Sequence, residues 1–317
     1  MNVTEDQGPP PEVVTRVLDA FLIIDPEELL VQLGTLEPQS PLPASFVKDA
    51  LDGLRSVTSA GSLPFQLVSH SVHQRRFDQI HTAERIRSLK DVERGQEPSG
   101  DLNHLSFQTA NDRMSEFVRS DKGVKHFRDG ILFDLDQRLS SPAVADAASE
   151  LLVQTLISAW AVFESLVRAF VIAWINADPN RARSVLASAE LKPYFGKQVV
   201  DIAVIGDHAF DLTTSMGDIL FRDRRLDHLG VIRNVLDALF NDPDVRDALA
   251  DDMWMLNQRR HLFVHQRGLV DAEYLGRTGD SVPLGKRLSV TSGDVEHYIR
   301  AVQSAFVAIA SAADGVR

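Results

Sequence analysis

Two residues near the end of one helical segment, Arg260 and His265, have the types and spacing to act on a phosphodiester. Four residues separate them, about 7.5 Å along a helix axis at ~1.5 Å per residue. A long arginine side chain closes that gap. The imidazole titrates near neutrality, and the guanidinium is a permanent forked cation suited to phosphate oxygens. RNA cleavage by the neighbouring ribose hydroxyl needs such a pair: a base takes the 2′-OH proton while a cation offsets charge growing on phosphorus. The same residues also admit a purely structural role. Arg260 could pair with Asp252 or Glu164, and His265 could face the free carbonyls at its helix C-terminus.

Other constellations carry less chemistry. His261 and His265 sit four apart, a metal-ligand spacing, but Leu262 stands where a zincin needs glutamate and no third ligand is evident. No metal and no cofactor are therefore expected. His70, His73, Asp78 and His81 lie on a polar helical stretch and read as surface residues. Glu164, an acid inside the apolar run Trp160-Ala161-Val162-Phe163-Glu164-Ser165-Leu166-Val167-Arg168, must find a partner if buried. Arg260 or His265 is one candidate and Arg168, one turn away, is another. The string Phe221-Arg222-Asp223-Arg224-Arg225 joins an aromatic to three arginines, yet with Asp223 and Asp227 beside them it reads as a solvated face. Phosphate-binding glycine loops and serine hydrolase elbows are absent.

The elements that must position the pair are helical throughout. Apolar spacing predicts helices over Glu12–Ile24, Glu27–Leu33 behind an Asp25-Pro26 cap, Phe46–Val57 and Phe65–Leu89. Further helices are predicted over Ser106–Arg119 and Phe127–Leu139, with an exposed loop at Glu93–Asn103. Ser140-Ser141-Pro142 opens Ala143–Ala177, the central helix of the second half. Beyond it the pattern gives a short helix within Asn180–Phe195, an extended, β-branched Gln198–Ile205, and helices at Thr213–Arg222 and Leu226–Phe240. One helix should then run from Asp242-Pro243-Asp244 to His265 and stop near Gly268. A last one, Ser292–Ala312, carries Val295, Tyr298, Ile299, Val302, Phe306 and Ile309 on one side. The expected fold class is all-α. Residues 1–10 form a flexible Pro-rich lead, residues 11–139 a helical N-terminal domain, and residues 140–317 a second helical domain.

Composition bounds the rest. The chain of 317 residues, 44% hydrophobic, has no cysteine, which excludes disulfides, thiolate metal sites and a cysteine nucleophile and fits a reducing compartment. The acidic, Pro-rich N-terminus is the opposite of a secretion signal, so a cytoplasmic location is expected. Leu151–Ile175 is long enough to span a bilayer, but Gln154, Glu164 and Arg168 argue for a buried core helix and against a membrane. A formal net charge of −12 opposes broad attraction to a phosphate backbone. Asn257–Arg267, with Arg259, Arg260 and Arg267 and no acid, is the local exception. Trp160, Trp174 and Trp254 should fill the helical core or a dimer seam.

The string from Arg259 to Leu275, RRHLFVHQRGLVDAEYL, resembles the HEPN superfamily. Members carry an arginine, then a polar residue, then a histidine, with four to six residues between arginine and histidine; Arg260, His261 and His265 fill those places. The continuation Gly268-Leu269-Val270-Asp271-Ala272-Glu273-Tyr274 and a long helix upstream are also similar, so the resemblance covers about residues 142–314. It departs at His261, where asparagine is frequent. The resemblance implies a helical bundle that dimerises through the C-terminal domain with both motifs facing one cleft, and metal-independent endonucleolytic cleavage of single-stranded RNA. His265 would be the base, Arg260 the transition-state cation, and His261 would orient substrate or assist. Arg259, Glu164, Arg267 and Tyr274 would bind substrate or support the site. A toxin or phage-defence role and a regulatory protein partner follow by the same analogy. The rival reading is a non-catalytic helical dimerisation or regulatory module.

Overall fold

The computed structural model describes residues 8–94, 101–196 and 202–315. Its first elements are α1 (Pro11–Ala20), α2 (Pro26–Leu29), α3 (Val31–Gly34), α4 (Pro41–Gly61), α5 (Leu63–Glu93), α6 (Leu102–Arg119) and α7 (Asp121–Leu139). The long α8 (Pro142–Ala177) is followed by five short pieces: α9 (Arg181–Ala187), α10 (Lys192–Phe195), α11 (Ile202–Asp207), α12 (Met216–Phe221) and α13 (Leu229–Phe240). The chain ends with α14 (Pro243–Ala248), α15 (Asp251–Gln266), α16 (Ala272–Thr278) and α17 (Ser292–Gly315). Among the described residues there is no strand, only an isolated antiparallel bridge between Leu269 and Arg287. The chain is all-α.

Local chemistry explains the starts. The Asp25 carboxylate accepts from the Glu27 amide at 2.9 Å ahead of Pro26, and the Asp242 carboxylate accepts from Asp244 and Val245 ahead of Pro243. Two expectations change. Ile202–Ile205, expected to be extended, is helical in α11, whereas 198–201 lie outside the described residues, as do residues 1–7 of the Pro-rich lead and 95–100 of the expected loop. An extended segment needs a strand to satisfy its amides, and the described residues offer none. The helix expected from Asp242 to His265 is two helices. Its second part restarts at Asp251 and Asp252, whose carboxylates favour a helix N-terminus.

Contacts divide the chain into two compact units, and the division is not the linear one at residue 140. The first holds residues 8–23 and 62–149; the second holds 24–61 and 150–315. The first unit's core is built from Val17 of α1 and Phe21 just beyond its end, Val68 and Val72 of α5, and Phe127, Ile131 and Leu135 of α7. Its most buried charge, Glu84, is held by Arg87 at 2.7 Å and by Arg113. His73 stacks on Phe127 with centroids 3.9 Å apart, while His81 sits beside Phe77 and Phe107, and His70, His73, Asp78 and His81 form no group that could hold a metal ion.

In the second unit Phe46 of α4 stacks on Phe170 of α8 (4.4 Å) and meets Phe306 of α17 edge-on (5.4 Å). Residues 24–61 join this unit through specific polar contacts as well. The Gln303 amide, 2% exposed, accepts from Leu33 N at 3.1 Å and donates to Leu29 O at 3.0 Å. Asp314 accepts from the Gln39 and Ser40 amides. Among the described residues α8 is the one helix long and apolar enough to cross a membrane. Its Trp160, Phe163, Val167, Val171 and Ile175 are fully buried in protein. Trp174 is also buried, and Trp254 half-buried.

Candidate functional site

Helix α15 presents the motif. It closes with Arg267 in the left-handed region (φ 54°) and Gly268 at φ 77°, whose amide donates to Leu262 O at 3.1 Å. A Cβ on Gly268 would meet the Phe263 ring at 3.0 Å, so a side chain there would be strained in torsion and crowded by its neighbour.

Adjacent arginines on this helix have different fates. Arg259 turns into a half-buried polar knot: its guanidinium donates to Asp294 at 2.9 Å, lies 3.9 Å from Asp280 and sits over the Tyr298 ring at 5.4 Å. Burial opposes the Arg259 charge, but Tyr298 and Asp294 more than offset this and raise its pKa. Asp294 is pushed up by burial and pulled down further by the Thr291 amide and hydroxyl and by Arg259, so the net shift is downward. Burial pushes the Tyr298 phenol up to about 12. Tyr274, 5% exposed, donates to Asp280 at 3.0 Å, and burial followed by that contact raises its pKa. Neither Arg259 nor Tyr274 lines the groove described next. As residues expected to bind substrate or support the site, these two hold α15 to α16 and α17.

Arg260 and His265 line one open groove of about 960 Å³. His265 is exposed and has no hydrogen-bond partner among the described residues. The Arg260 side chain is 27% exposed and reaches Glu164 of α8 at 3.9 Å; its Nε is buried without a partner. Glu164 accepts from the Trp160 indole at 2.9 Å, so α8 fixes the carboxylate that faces the guanidinium. The rival partners are taken: Asp252 pairs with His297 at 3.0 Å, and Arg168 donates to the Arg224 and Phe221 carbonyls at 2.6 and 3.0 Å.

His261 and Arg267 are not among the residues lining this groove. The His261 ring sits 4.5 Å from the His265 ring, centroid to centroid, and lines a smaller recess of about 40 Å³ with Tyr274 and Arg277. Burial, then the charges of His265, Arg260 and Arg277, lower its pKa and favour the neutral imidazole. Arg267 is exposed at the helix end. Among the described residues, no three His, Asp or Glu side chains gather in a geometry that could hold a metal ion.

Sequence reasoning missed the other wall. Arg222, Asp223, Arg224, Arg225 and Asp227 line the same groove as Arg260 and His265, bringing its lining to five arginines against three carboxylates. The signal was present in Phe221-Arg222-Asp223-Arg224-Arg225 but was indistinguishable from a solvated face until tertiary contacts fixed its place. Phe221 is fully buried and anchors the segment. Comparison with protein-family models, with curated proteins and with solved structures returned no match.

Proposed function

We propose that this chain is a metal-independent endoribonuclease of HEPN type that cuts single-stranded RNA. The observation that carries the reading is the pairing of an exposed imidazole, His265, which has no hydrogen-bond partner among the described residues, with a partly exposed guanidinium, Arg260, along one open, arginine-rich groove. In the reaction His265 takes the ribose 2′-OH proton as O2′ attacks phosphorus. The O2′–P bond forms, the P–O5′ bond breaks, and O5′ leaves as an alcohol by taking a proton from solvent water, giving a cyclic phosphate end. Arg260 offsets the charge that grows on the phosphoryl oxygens, and Glu164 positions it. His261, held neutral beside His265, orients the substrate. Two copies pair through the C-terminal half so that both motifs face one cleft. A cytoplasmic toxin or phage-defence effector restrained by a protein partner is the biological role that accompanies this chemistry by analogy.

Purified protein is incubated with unstructured RNA in the presence of a chelator, alongside His265→Ala and Arg260→Ala. The expected result is cleavage to cyclic phosphate ends by the parent and a loss of at least 100-fold in each variant, the scale on which general-base and electrostatic groups act. Absence of cleavage, or cleavage that neither change affects, rejects the nuclease and leaves a non-catalytic dimerisation or regulatory module.

A further inference from the structure

The groove wall at Phe221–Asp227 is built as a frame carrying two available cations. Arg168 and Arg224 are committed to backbone: Arg168 donates to the Phe221 and Arg224 carbonyls, and Arg224 donates to Tyr194 O and, at 2.7 Å, to Phe195 O. The Tyr194 hydroxyl in turn donates to Arg225 O at 2.9 Å. With Phe221 and Leu226 buried at either end, these contacts fix the segment's backbone. Arg225 is left exposed with no side-chain partner among the described residues. Among the described residues Arg222 holds only a surface pair with Asp207 at 3.3 Å, both side chains largely exposed, an interaction worth ~0–1 kcal/mol.

From this geometry we infer that Arg222 and Arg225 bind the RNA phosphates next to the one that Arg260 and His265 cleave. A fixed backbone lowers the ordering cost of a phosphate contact, and an exposed guanidinium offers a two-pronged donor face to the oxygens. The groove, about 960 Å³, is larger than a single phosphate requires and lies in the size range of whole ligand sites. Guanidinium–phosphate contacts carry no base information, so the hold is independent of sequence. This inference rests on the reading of the groove as an RNA site.

The test uses the full chain carrying His265→Ala, which binds without cutting, and fluorescence anisotropy with two unstructured RNA oligomers of different sequence. Arg222→Gln and Arg225→Gln are each expected to weaken binding about tenfold for both oligomers. Each should also reduce the slope of log affinity against log salt by about 0.7. Arg225→Lys should recover part of the loss. Unchanged affinity and slope, or no RNA binding at all, overturns the inference. Arginine-dependent binding without cleavage by the parent supports the phosphate contacts of Arg222 and Arg225 while rejecting the nuclease; cleavage with arginine-independent binding supports the nuclease and rejects those contacts.

Discussion

Arg259 and Arg260 are consecutive residues of one helix, and replacing each with methionine should separate stability from chemistry. Methionine keeps the aliphatic stem and removes the charge. At 259 the change leaves Asp294, 31% exposed in its side chain, without its 2.9 Å partner, and Asp280 without its nearest cation. Breaking a fully buried pair costs ~3–5 kcal/mol. Partial exposure and the surviving Thr291 hydrogen bonds to Asp294 reduce this to about 2–3 kcal/mol. For a unit of this size that is a fall in Tm of roughly 5–10 °C. At 260 the lost contact is a 3.9 Å pair between side chains each 27% exposed, and Glu164 keeps the Trp160 indole. Stability should therefore change by only ~0–1 kcal/mol, while cleavage falls at least 100-fold, about the effect of removing a transition-state donor. Thermal unfolding measures the first quantity, and RNA cleavage well below both transitions measures the second. Adding Asp294→Asn to Arg259→Met should restore at least half of the lost stability, because the uncompensated charge is then gone. Equal destabilisation by the two substitutions, or an active Arg260→Met protein, would refute the division of roles.

Three further outcomes follow from the same geometry. Burial raises the pKa of all three tyrosines, Tyr194, Tyr274 and Tyr298, the last to about 12; the folded chain should therefore develop tyrosinate absorbance only above the ordinary value of ~10. Because these folded pKa values lie above the unfolded ones, the associated stability is intact below pH ~10 and is lost as pH rises towards 12; a native titration centred at the ordinary phenol value would contradict this. Gly268→Ala places a side chain at φ 77° against the Phe263 ring and should lower stability by about 1–2 kcal/mol in denaturant unfolding; an unchanged midpoint would show that the helix end is not constrained. Gln303→Leu strands the Leu33 amide and the Leu29 carbonyl in the core, so it should cost about 2–3 kcal/mol and selectively speed hydrogen exchange at Leu33; uniform exchange across the second unit would argue against a local tie.

The helices themselves were written in the sequence. Capping at Asp25-Pro26 and Asp242-Pro243, the glycine stop at Gly268 and the apolar stripe of α17 are local features, settled by residues within a turn or two of one another. So was the pairing of Arg260 with His265, since a helix sets the spacing of its own side chains. What only tertiary structure decided was which helices share a core and what faces the motif. Residues 24–61 belong with the C-terminal half because the Gln303 amide and the Asp314 carboxylate bind their backbone groups, and backbone groups bear no residue-type signature. The arginine wall is placed in the same way, by guanidiniums of Arg168 and Arg224 donating to main-chain carbonyls 29 to 56 positions away. Periodicity reports what lies above and below on one helix; it is silent about a neighbour brought in by a carbonyl oxygen that every residue possesses.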